Sequence, residues 1–303
     1  MNSRFDPATG FLLEARPRIF PWVNVILFLA TCLSTLVVGA MLMADFRGID
    51  IEVAFAHLQT QPFTLLSGLP FCIAIMSILF AHEMGHYLTC RYYGIDASLP
   101  YFIPFPNPVG TMGAFIKIRG PIYDRGSLLE VGVAGPIAGF VVAVFALVLS
   151  MSEGRFVVPQ GLENEISLGE PLIFKAVEYV MGMTPPVGMD VYMHPVGFAA
   201  WFGFLATALN LLPAAQLDGG HITYAMFRGY HKWISWGVVL TLLPLAIFYW
   251  PGWFVWIILL LILKLRHPPT IDDSIPLRPR QVVLGWIGFV LLILCFTPAP
   301  FIF

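Results

Sequence analysis

Long apolar stretches recur along this chain, and "LLSGLPFCIAIMSILF" (65–80) is typical. A bilayer core of about 30 Å needs about 20 such residues in a helix. Seven windows approach that length: 22–44, 66–90, 128–150, 192–213, 233–249, 252–265 and 282–299. The fifth and sixth are short and meet at Pro251-Gly252, a turn signal. Of the 303 residues 58% are hydrophobic and only 11% charged, and the mean hydropathy is +0.81. Soluble domains carry roughly 25% charge, so most of this length belongs in a lipid bilayer. The net charge of −2 and the lack of a basic stripe exclude a nucleic-acid partner.

Lysine and arginine set the expected orientation. With the N-terminus in the cytosol, 13 of the 16 fall on the cytosolic side. Only Arg47, Arg155 and Lys175 fall outside. The first apolar window starts near Trp22 and is too long for the core of a signal peptide. Together with the short tail before it and the lack of a transit peptide, this favours a prokaryotic plasma membrane over a plastid. The four cysteines (Cys32, Cys72, Cys90 and Cys295) sit in apolar stretches without paired spacing and read as small apolar residues.

Between Tyr93 and Ser127 the chain is too apolar for an ordinary loop and too rich in proline and glycine for a span. "TMGAFIKIRG" alternates, with Ala114, Ile116 and Ile118 against Phe115, Lys117 and Arg119. That period of two suits a short strand. The expected form is a hairpin dipping into the membrane, with its backbone covered by protein or water.

The most polar cluster lies at the end of an apolar helix, in "FAHEMGH" (80–86). Residues four apart share a helix face, so His82 and His86 can present imidazoles to one ion with Glu83 alongside. This H-E-x-x-H pattern supplies two zinc ligands and a carboxylate placed to take a proton from water. Chance matches occur, but ionisable groups inside a span are costly and mark function. Catalytic zinc takes a third protein ligand, and Asp218 in "NLLPAAQLDGGH" (210–221) falls at the same membrane face. Alone, Asp218 before Gly219-Gly220 reads as a turn or a helix C-terminus; facing the histidines, it becomes the leading ligand. Asn210 has two readings: a backbone partner between helices, or a donor to a substrate carbonyl. His221 competes as a ligand by type, while His57, His194, His231 and His267 read as ordinary interfacial histidines. Gly135 and Gly139, four apart in "GVAGPIAG" (132–139), form a small-residue face for packing against the helix of His82.

Taken together, "AHEMGH", "GTMGAFIKI" (110–118), "GVAGPIAG" and "NLLPAAQLDGGH" resemble the site-2 protease family of intramembrane zinc metalloproteases. The resemblance covers about 65–225 in family order. It implies one Zn²⁺ per chain on His82, His86 and Asp218, with Glu83 as catalytic base. It also implies cleavage of single-span membrane proteins within or near the bilayer. The connection over 151–190 is too short for the PDZ or CBS domains of many members, which resembles the compact branch.

The expected fold is an all-α polytopic membrane protein of about six to seven transmembrane helices, with a membrane-dipping β-hairpin after the catalytic helix. Its parts are a cytosolic tail (1–21), a first span and external loop (22–64), the metalloprotease core (65–225) and C-terminal spans (226–303). A substrate strand is expected to pair along Gly113, Ala114, Phe115 and Ile116. Two rivals come from other classes. A non-catalytic zinc-containing chaperone or adaptor has no need of Glu83, and a transporter often shows internal repeats that this chain lacks.

Overall fold

The computed structural model describes residues 21–157, 167–183, 186 and 190–302, with the backbone of two short strands before them. Apart from these strands and Pro21, the expected cytosolic tail lies outside the described residues, as does part of the 151–190 connection.

The chain is mostly helical. Its helices are α1 (Trp22–Phe46), α2 (Ile51–Thr60), α3 (Leu69–Tyr92), α4 (Arg125–Met151), α5 (Leu172–Met181), α6 (Pro195–Asn210), α7 (Asp218–Phe227), α8 (His231–Phe248), α9 (Trp253–Ile262) and α10 (Pro279–Cys295). The strands are β1 (Arg4–Phe5), β2 (Leu12–Leu13), β3 (Tyr101–Pro104), β4 (Thr111–Phe115), β5 (Arg155–Val157), β6 (Ser167–Leu168), β7 (Asp190–Tyr192) and β8 (Phe301–Ile302). They pair as four antiparallel two-stranded sheets: β1–β2, β3–β4, β5–β7 and β6–β8.

Four helical stretches among the described residues are long and apolar enough to cross a membrane: Trp22–Phe46, Pro62–Tyr92, Arg125–Met151 and Asp218–Phe248. Three of the expected spans are shorter as helices than as apolar windows. Helix α6 has 16 residues, α9 has 10 and α10 has 17. At 1.5 Å per residue α6 reaches only about 24 Å. The chain turns after Asn210 and again after Ile262, where Ala215 and Lys264 adopt left-handed backbone angles. Helices α2 and α5 lie in stretches that read as loops. Ile173 and Phe174 of α5 are buried against the core, which explains why a connecting segment folds there.

Helices α3, α4 and α6 form the centre. A Cβ on Gly203 of α6 would lie 2.9 Å from Ile78 of α3 and 3.3 Å from Ala143 of α4, so glycine sets that three-helix contact. Helix α4 starts with a capping box in which Asp124 accepts from the Ser127 N–H at 2.9 Å. Arg280 and Gln281 of α10 both donate to Glu130 of α4, each at 3.1 Å.

The β3–β4 hairpin lies against α1 and α3. Asn107 organises its turn, accepting from Gly110 N–H at 2.8 Å and donating to Thr111 at 2.9 Å. From α1, Asn24 donates to the carbonyls of Leu99 and Pro100, and Ser34 donates to that of Gly110 at 2.6 Å. The expected alternation holds past the strand's end: Ala114, Ile116 and Ile118 pack on the helices, while Phe115, Lys117 and Arg119 are exposed. The cysteines are free, as expected.

Gly203→Leu is expected to lower stability by about 1–3 kcal/mol through overpacking between α3 and α4. The drop in thermal midpoint of the detergent-solubilised protein measures it.

Candidate metal centre

Within α3, His82, Glu83 and His86 are buried to 7%, 6% and 6% exposure. Gly135 and Gly139 of α4 make room for the two imidazoles. A Cβ on Gly135 would land on the His86 ring, and one on Gly139 would lie 3.1 Å from His82 Cβ. A Cβ on Gly85 would press on the Ala134 backbone, so the two helices are in close contact there. The small-residue face of α4 therefore packs against the helix of His82, as its spacing led one to expect.

Asp218 arrives from the opposite side. It is the first residue of α7, so Asp-Gly-Gly, which taken alone resembles a turn or a helix C-terminus, opens a helix here. The glycines are needed for contact. Cβ atoms on Gly219 and Gly220 would press on the backbone carbonyls of Leu211 and of Ala214 and Ala215. This folds the chain back under α6 and aims Asp218 at the histidines.

The three donor atoms form a nearly equilateral triangle. His82 Nε2 and His86 Nε2 are 3.2 Å apart, and each is 3.2 Å from Asp218 Oδ2. A tetrahedral ion at about 2.0 to 2.1 Å from each ligand separates neighbouring donors by about 3.3 Å. The triangle thus fits zinc and leaves a fourth position for water. His86 Nδ1 lies 2.7 Å from the Val131 carbonyl, an acceptor only. Its proton therefore sits on Nδ1 and its Nε2 lone pair faces the triangle, as in metal sites where an outer acceptor orients the ring.

Two further groups reach this centre. The backbone of Ile116, at the end of the hairpin, lies beside the Glu83 carboxylate. Asn210, at the C-terminal end of α6, places its side-chain nitrogen 3.3 Å from His82 Nε2. Between the readings left open for Asn210, the structure brings it to the metal triangle. Gly113 has φ +101°, a conformation that favours glycine, and Phe115 is 49% exposed. Among the described residues only β3 pairs with β4, so the other edge of β4 is unpaired.

The remaining histidines divide differently from the expectation. His57 is exposed on α2, and His194 caps α6 by accepting from Val196 N–H at 3.2 Å. His231 is buried to 2% exposure, and His267 lies 2.6 Å from His221. Neither of these two is an isolated interfacial group. Their positions depend on contacts 36 and 46 residues apart, which no local pattern reports.

A His-His-Asp triangle with buried histidines, a half-buried aspartate and a neighbouring glutamate, carried on membrane-length helices, defines a membrane metallopeptidase-like site. Residues 70–240 match the model of Peptidase family M50, and the chain belongs to that family. Among curated proteins it is similar to "Probable zinc metalloprotease EGY2, chloroplastic" of Arabidopsis thaliana, 28% identical over 84% of this chain and 45% of that protein. It is also similar to "Probable zinc metalloprotease EGY1, chloroplastic" of the same plant, 30% identical over 77% of this chain and 43% of that protein. The Oryza sativa subsp. indica protein of the former name is 28% identical over 79% of this chain and 44% of its own length. The chain thus spans under half the length of these relatives. It is an integral membrane protein whose donor set implies Zn²⁺.

Gly135→Ala is expected to displace His86 and to cut zinc content well below that of the wild type. Gly139→Ala should have the milder effect. Metal analysis of the purified proteins by mass spectrometry checks the order.

Proposed function

We propose that this chain is an intramembrane zinc endopeptidase that hydrolyses peptide bonds within or near the transmembrane segment of single-span membrane proteins. The observation that carries this reading is the donor triangle with Glu83 beside it, buried among membrane-length helices. A site for structural zinc is closed by four protein ligands and needs no base. Here there are three donors and a carboxylate.

His82, His86 and Asp218 would hold the ion. Zinc at these donors lowers the pKa of water toward ~7 and polarises a carbonyl. Glu83 takes the proton from the attacking water and delivers it to the leaving amine nitrogen. Asn210 donates from its amide to the oxygen of the scissile carbonyl, where negative charge develops.

A helical substrate hides its carbonyls in its own hydrogen bonds, so it must unwind before it is cut. The unpaired edge over Gly113, Ala114, Phe115 and Ile116 receives it as an added strand. The hairpin lies within the depth of the membrane, covered by α1 and α3. The site opens toward the side holding 13 of the 16 basic residues, taken as the cytosol, with seven segments traversing or entering the bilayer and the N-terminus on the same side. The core responsible is 65–225.

Glu83→Gln is expected to retain about one zinc per chain and to lose cleavage of a single-span reporter by a factor of ~10² to 10⁴. Loss of zinc from this variant, or cleavage at the wild-type rate, would overturn the assignment. Asn210→Ala should keep its zinc and lower kcat by about 10²- to 10³-fold with KM little changed, as read from detergent kinetics.

A further inference from the structure

The segment from Leu263 to Arg278 runs between α9 and α10 and lies across α7 and the arm that follows the hairpin. Two backbone bonds join it to that arm: Ile271 N–H to Ile122 at 3.1 Å and Asp272 N–H to Tyr123 at 2.7 Å. On α7 and just past its end it meets three residues. Tyr224 stacks on His267 with ring centroids 4.5 Å apart and donates to Asp273 at 2.7 Å. Arg228 lies 3.4 Å from Asp273. His221 Nδ1 lies 2.6 Å from His267 Nε2.

The protons on this histidine pair are fixed by an acceptor at one end. His267 Nδ1 is 2.6 Å from the Pro268 carbonyl, which only accepts, so Nδ1 carries the proton. Burial holds His267 below its ordinary pKa, so the ring is neutral near pH 7 and Nε2 is a lone pair. The proton in the 2.6 Å contact therefore belongs to His221 Nδ1, which donates to His267. His221 is three residues after Asp218, on the same face of α7. Its Cβ is seated where one on Gly132 of α4 would lie only 2.9 Å away, so the residue is wedged between α4 and the strap.

We propose that His267 is a positioning residue for the metal centre: through its bond to His221 it holds the first turn of α7, and with it Asp218, in register with His82 and His86. The inference rests on the metal-centre reading above. That turn has Leu217 at its N-cap position with no side-chain capping bond, and two glycines follow Asp218, so little in its own sequence holds it. The strap supplies from outside what the turn lacks.

Zinc release to a chromophoric chelator from the purified, zinc-loaded protein in detergent tests this. His267→Ala and His221→Ala should release zinc about 10-fold faster or more, within the 10- to 100-fold typical of losing an outer partner of a metal site. His267→Gln restores an acceptor near the Nε2 position, and His221→Asn restores a donor near Nδ1. Both should release zinc within about 3-fold of wild type, a recovery that a loss of packing alone would not give. Wild-type release from His267→Ala, or no recovery in the two amide variants, overturns the proposal. Asp218→Ala is measured beside them. Its loss of zinc leaves the metal-centre reading standing whatever the strap does, and its retention of zinc overturns both.

Discussion

The close approach of α3 and α4 is the contact on which the rest of the site depends. Two imidazoles and a carboxylate sit on a helix face that would otherwise be packed with apolar side chains. They fit because α4 offers glycine opposite each ring, Gly139 to His82 and Gly135 to His86. Burying such groups without partners costs several kcal/mol, and here each acquires one. His86 donates to Val131, Glu83 lies beside the Ile116 backbone, and His82 and His86 both face Asp218. The same interhelix contact thus makes the room and supplies an acceptor. A bulkier α4 would forfeit both.

The hairpin and α7 reach this centre from different directions, each held by groups outside itself. Helix α1 holds the hairpin through Asn24 and Ser34, and the hairpin's end lies beside Glu83. Helix α7 starts only because Gly219 and Gly220 allow it to press on the carbonyls that end the Leu211–Ala215 turn. The strap from Leu263 to Arg278 touches both the hairpin arm and α7, so the two inputs share one brace.

Much of this was legible in the chain before any fold was known. The i, i+4 spacing of His82 and His86 puts two donors on one helix face, and the period of two through Ala114, Ile116 and Ile118 marks the face that packs inward. Gly135 and Gly139 announce a close helix contact. All of these are short-range patterns, repeating within a turn or two of regular structure. At Asp218 the local composition alone suits a turn, yet Asp-Gly-Gly opens a helix, since glycine there answers a tertiary contact. Apolar windows also overstated α6, α9 and α10, because hydropathy reports what can be buried and not where the backbone must bend. His267 reads from its neighbours as an ordinary interfacial histidine; nothing beside it signals a partner 46 residues earlier.

By itself the sequence determined that this is a membrane-embedded chain with a two-histidine, one-glutamate motif inside a span, because hydropathy and helical period are properties of consecutive residues. Only the tertiary structure decided that the donors close into a triangle with 3.2 Å edges, that Asn210 faces His82, and that a strap reaches His221. The physical reason is range. A metal centre demands donor atoms placed to a few tenths of an ångström, and residues 132 positions apart, such as His86 and Asp218, reach that precision only through the packing of α3, α4, α6 and α7.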